Sequence, residues 1–205
     1  MDIVFVNGLV KSREKYLIER RTFLQAAESE SFSDAVKILK DSGFGDSSEG
    51  AASSYEEIVS SEWNKFFDFL KKYSPKDWFL KGVAAKYDFF NAEYALREKY
   101  AGASEKGYLE EGLVKVSDIK AYLKDGKGEI PEAIKRVIEK GKAEFEGGNA
   151  TGKSVSVLFK RAYYEYMLKV VKSKDWKEFI VHEIDALNLS VALRAGSEKE
   201  AESEY

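Results

Sequence analysis

AKYDFFNAEYALREKY, residues 85–100, is echoed 97 positions later by HEIDALNLSVALRAGS, residues 182–197. At that offset Asp88 falls on Asp185 and Asn91 on Asn188. Ala95-Leu96-Arg97 falls on Ala192-Leu193-Arg194. Extending backward, Phe79, Val83, Tyr87, Phe90 and Tyr94 coincide with Trp176, Ile180, Ile184, Leu187 and Val191, a line of apolar residues at helical spacing. Both copies follow Lys-Asp-Trp, at 76–78 and 174–176. Before that stand FFDFLKKY (66–73) and YYEYMLKV (163–170), with a one-residue slip between the parts. Each copy therefore reads as an aromatic helix, a short turn and a second helix. The simplest account is an internal duplication: an all-α fold of two related multi-helix lobes, 1–101 and 102–205.

The rest of the chain agrees with this class. Helical periodicity covers 10–27, 32–40, 55–73, 77–100, 117–123, 131–145, 154–171 and 174–195. The expected apolar face of the third stretch is Val59, Trp63, Phe66, Phe67, Leu70 and Tyr73. In the sixth, Ile134, Val137, Ile138 and Gly141 share a face with Ile130 before it. Pro131 suits a first helical position, where its missing N–H breaks no bond, and Pro75 ends the helix before it. Clusters of Gly, Ser and Asp near 41–50, 101–107 and 146–152 interrupt the pattern. Strand-like alternation is confined to IVFV, residues 3–6, and the polar tail 197–205 is expected to fray.

Composition narrows the function. The 205 residues carry 33 basic and 36 acidic side chains, a net charge of -3 that argues against broad contact with nucleic acid. There is no cysteine and one histidine, His182, so the usual zinc constellations cannot be assembled. No stretch approaches the roughly 20 apolar residues that span a bilayer, and the N-terminal apolar run is too short for a secretory signal. No metal and no cofactor is expected.

GGNATGKS, residues 147–154, matches the phosphate-loop spacing G-x-x-x-x-G-K-[ST]. A working phosphate loop joins a buried strand to a helix. The residues before this one, AIKRVIEKGKAEFE, carry charges at every turn and apolar residues at helical spacing. The expected structure is a Gly-rich linker into a helix N-terminus, with Thr151 or Ser154 as the cap and Lys153 in solvent. A nucleotide-binding enzyme built on 147–154 is the remote alternative.

The repeated polar residues admit two readings. Asp88 and Asn91 are three apart and share a helix face, as do Asp185 and Asn188, while Arg97 and Arg194 point elsewhere. A catalytic reading would pair Asp88 with Asp185, near His182. That chemistry needs acids held face to face with separated pKa values, and symmetric copies in separate lobes give no reason for it. The structural reading is that Asp and Asn satisfy polar groups where helices meet, and that the Arg bridges elements.

These residues also carry a resemblance. KYDFFNAEYALR and HEIDALNLSVALR, the segment R-A-Y-Y-E at 161–165, and the Arg13-Glu14 pair in the first helical stretch resemble the C-type subunits of V/A-type ATP synthases, relatives of the d-type subunits of V-type ATPases. The middle segment 114–134 fits as well, and coverage runs from about Lys11 to Ala195. The family has three such lobes around a funnel, and this sequence has material for two. The resemblance implies a non-catalytic central-stalk subunit. It would sit on the cytoplasmic face of the membrane, with the shaft subunits and the rotor-ring proteolipid as partners. Asp88, Asn91, Arg97, Asp185, Asn188 and Arg194 occupy the motif positions. Arg13, Arg161, Tyr163 and Tyr164 are the candidate partner contacts. A free-standing helical interaction protein of the same ancestry is the alternative.

Overall fold

The computed structural model describes residues 3–15, 17–44, 55–74, 76–104, 107–109 and 111–195, with backbone alone at 3, 55, 56, 194 and 195. The tail, Pro75 and the Arg194 side chain thus lie outside the described residues. Regular structure among the described residues is helical throughout: α1 (Ile3–Glu14), α2 (Arg20–Ala27), α3 (Phe32–Asp41), α4 (Tyr55–Tyr73), α5 (Asp77–Ala101), α6 (Val116–Asp125), α7 (Glu132–Glu146), α8 (Gly152–Val170) and α9 (Lys174–Ala195).

The chain forms two compact units, 1–77 and 78–205. The division expected from the repeat, at 101/102, differs because α5 packs into the same core as the helices that follow it. In the first unit, IVFV is not strand-like but opens α1, with Val6 buried and its neighbours Val4 and Phe5 exposed. Four alternating residues without a partner strand cannot hold an extended form. The single helix expected over 10–27 is two, α1 and α2. The break at 15–19 contains no Gly or Pro to announce it. Ser31 caps α3, accepting from the Asp34 N–H and donating to its carboxylate at 2.6 Å. Arg13 lies over the Phe69 ring at 4.3 Å and Phe5 meets Tyr73, joining α1 to α4. The expected apolar face of α4 is buried only in part. Ile58, Phe67 and Leu70 are inside, whereas Val59, Trp63 and Phe66 are exposed.

The second unit contains the main core, built from Phe89, Leu96, Ile119, Ile134, Val137, Ile138, Val155, Phe159 and Ile180. Here the helix ends expected from periodicity hold to within about two residues, the normal fraying of helix ends. Pro131 stands one place earlier than expected, as the extended residue before α7 (ψ 143°). The expected apolar line of α5 is not its buried face. Phe90 is exposed and Phe79, Val83, Tyr87 and Tyr94 are half-buried, while the inside is Ala84, Ala85, Ala92 and Ala95 around Phe89 and Leu96. Small residues let neighbouring helices approach closely, and glycine serves the same end elsewhere. A Cβ on Gly141 of α7 would stand 2.5 Å from the Leu96 methyl, and one on Gly82 would stand 2.8 Å from the Trp176 ring.

Candidate functional site

Asp88 and Asn91 sit on the buried face of α5, 6% and 0% exposed. Three-residue spacing puts them one above the other, and a segment including residues 107–109 and 111–114 packs against them. Asn91 treats that segment as a strand partner would. Its Nδ2 donates to the Leu109 carbonyl at 2.7 Å, and its Oδ1 accepts from the Leu109 N–H at 2.9 Å. Asp88 accepts from the Val114 N–H at 2.9 Å. A non-helical segment carries backbone groups that must find partners when buried, and this motif supplies three of the bonds. Gly112 fits between them only because it has no side chain, since a Cβ there would stand 2.4 Å from the Asp88 carboxylate. Burial pushes the Asp88 carboxyl up to about 6, against the opposing effect of the Val114 and Leu113 N–H groups.

About two turns further along α5 the same segment is tied again. Tyr108 donates to Glu98, Lys120 of α6 pairs with Glu98 at 3.0 Å, and the Lys120 ammonium lies 4.7 Å from the Tyr108 ring centre. The Tyr108 hydrogen bond holds the Glu98 carboxyl below the usual range, with Lys120 assisting. Sequence reasoning missed Glu98, Tyr108, Gly112 and Lys120. They belong to no repeat, and only the fold brings them together across 10 to 24 positions.

Arg97 serves a different junction. Its Nη2 reaches the Gly152 carbonyl and Ser156 Oγ, both at 2.5 Å, and pairs with Glu93 at 2.8 Å. It thereby holds the first turn of α8 against α5. That first turn is the phosphate-loop match. Thr151 and Ser154 form a reciprocal capping box, with bonds of 2.9 and 3.0 Å between side chain and N–H. The element preceding the Gly-rich turn is helix α7, not a strand, and Gly148 turns the chain with φ 72°. Lys153 is exposed.

The second copy is placed otherwise. The α5 positions 84, 85, 88, 89, 91, 92, 95 and 96 are all buried. Their counterparts 97 residues on, in α9, are not buried, and those of the motif itself are open to solvent. Asp185, Asn188 and His182 lie on this open face, with Leu189 at 62% and Leu193 at 77% exposure. Asp88 is buried behind residues 109, 112 and 114 whereas Asp185 is exposed, so the two carboxylates do not share one enclosed site. Among the candidate contacts, Arg13 lies on Phe69 in the first unit and Arg161 is exposed on α8. Tyr163 and Tyr164 stand with ring centres 4.9 Å apart beside an open groove of about 440 Å³ that also includes Lys86, Phe90, Lys160 and Glu183. Burial, then the Glu183 charge, pushes the Tyr163 hydroxyl up to about 12. Among the described residues no three carboxylate or imidazole groups gather as a metal site, and no helix is long and apolar enough to cross a membrane.

The family model for the ATP synthase (C/AC39) subunit matches residues 6–205, nearly the whole chain. The chain belongs to that family. The C/AC39 chain is thus a V/A-type ATP synthase subunit whose conspicuous polar motif, where enclosed, binds its own backbone. No curated protein and no solved structure matches it.

Proposed function

We propose that this C/AC39 chain is a non-catalytic coupling subunit of the central stalk. It links the rotating shaft of a V/A-type rotary ATPase to the proteolipid ring and is held peripherally on the cytoplasmic face by protein contacts. The observation that carries the reading is the family match over residues 6–205. Two structural features support it. The polar residues of the α5 motif are already engaged: Asp88 and Asn91 hold residues 109 and 114, and Arg97 holds the start of α8. The matching face of α9, with Asp185, Asn188, Leu189 and Leu193, is open, and an open face with the composition of a buried one suits a partner surface. A torque-bearing adaptor needs a stiff body and more than one such surface.

The reading is tested by mixing the purified chain with purified shaft subunits and, separately, with detergent-solubilised ring. A stoichiometric complex with each on size exclusion is expected. Binding to neither, with every component folded by circular dichroism, overturns it.

A further inference from the structure

The groove between α7 and α8 has a chemistry of its own. Its floor is apolar: Ala133 and Val137 from α7, with Leu158, Ala162 and Tyr166 from α8. Residues four apart on a helix form a ridge, and each rim here is such a ridge. Arg136 and Lys140 border one side; Arg161, Glu165 and Lys169 border the other. Four cations and one carboxylate therefore line the groove, in a chain whose acidic residues outnumber its basic ones, 36 to 33. Glu132 offsets part of this by pairing with Arg136 at 3.3 Å, and the excess is still positive. Lys140, Arg161 and Lys169 are all exposed.

Shape points to the class of occupant. The groove holds about 200 Å³, less than the roughly 300–1,000 Å³ of small-molecule pockets. From Leu158 to Lys169 it runs about 16 Å along α8, or about three helical turns. An apolar gutter between charged ridges is what an amphipathic helix occupies, with anchors at i, i+3 or i+4, and i+7. Charge selects among such helices, because like charges across a dry contact are costly and opposite charges steer encounter.

We propose that the α7–α8 groove docks an amphipathic helix of a partner protein, one whose apolar stripe is flanked by acidic residues. This docking is independent of the coupling reading: a stalk subunit can lack this contact, and the contact can serve another assembly.

The probe is a pair of synthetic helical peptides of about 18 residues with the same leucine stripe, one flanked by glutamate and one by lysine. Each is titrated into the isotopically labelled full chain and followed by amide chemical shifts. The glutamate peptide is expected to shift residues 133–140 and 158–169 saturably, and to bind about tenfold more tightly than the lysine peptide. Its binding should weaken about tenfold in the K140E/K169E variant and on raising salt from about 50 to about 300 mM. Both substituted side chains are exposed, and unchanged circular dichroism confirms the fold; if the variant does not fold, K140Q/K169Q replaces it. Equal binding of both peptides, indifference to the substitutions, shifts confined elsewhere or no saturable binding would each overturn the proposal. So would binding of the chain to phosphatidylglycerol vesicles that K140E/K169E abolishes while neither peptide binds. Failure here with shaft and ring binding intact would leave the coupling reading standing.

Discussion

At the scale of single residues, one motif has two fates, and the difference is measurable. Asn91 makes two bonds to Leu109 in a closed site, so N91A leaves a backbone N–H and C=O without partners. A loss of about 2–4 kcal/mol in urea unfolding is expected. The same change at exposed Asn188 is expected to cost no more than about 0.5 kcal/mol. Equal effects would mean that the two copies are in equivalent surroundings. G112A is expected to destabilise by about 1–3 kcal/mol, since its methyl would meet the buried Asp88 carboxylate.

Asp88 also sets a pH dependence. Its carboxyl titrates near 6 in the fold, against 3.8 unfolded, so the folded state binds that proton more tightly. The group's contribution is fully present below 3.8 and is lost as pH rises through about 6. The loss is on the order of 3 kcal/mol. D88N removes this dependence. Its stability relative to the parent chain should therefore improve between about pH 5 and about pH 7.5. A difference between the two proteins that does not change with pH would contradict the assignment.

At the scale of elements, most of the structure was legible and the exceptions have physical causes. The helices from α4 onward could be read from apolar period and Gly/Pro punctuation, and the cap of α8 was narrowed to Thr151 or Ser154, which form it together. T151A should cost about 1 kcal/mol, and K153A nothing measurable; calorimetry with magnesium and ATP should give no saturable heat. The α1–α2 break was not legible because no breaker residue marks it. The buried face of α5 was misread because it is lined by alanines. A hydrophobic count favours Phe90 and Tyr94, whereas close helix approach favours Ala84, Ala92 and Ala95. The roles of Asp88 and Asn91 as structural polar residues were legible in kind. Their partners were not, since Leu109 and Val114 contribute backbone atoms, which leave no signature in residue type.

At the scale of the whole molecule, the repeated segments carry the family resemblance, and the family match extends over residues 6–205. The shared Asp, Asn and Leu could not reveal that one motif face is covered and the other open; the difference lies beside them, where Ala85, Phe89 and Ala92 are matched by His182, Ala186 and Leu189. That asymmetry gives α9 a surface for something else to cover, and the coupling reading assigns it to the rotary machine. The most direct measurement is to tag the chain at its C-terminus in its native setting, solubilise the membranes gently and weigh the intact assembly by native mass spectrometry. The account predicts the chain at fixed stoichiometry with shaft and ring subunits. A folded chain recovered alone, beside an intact rotary complex that lacks it, would contradict it.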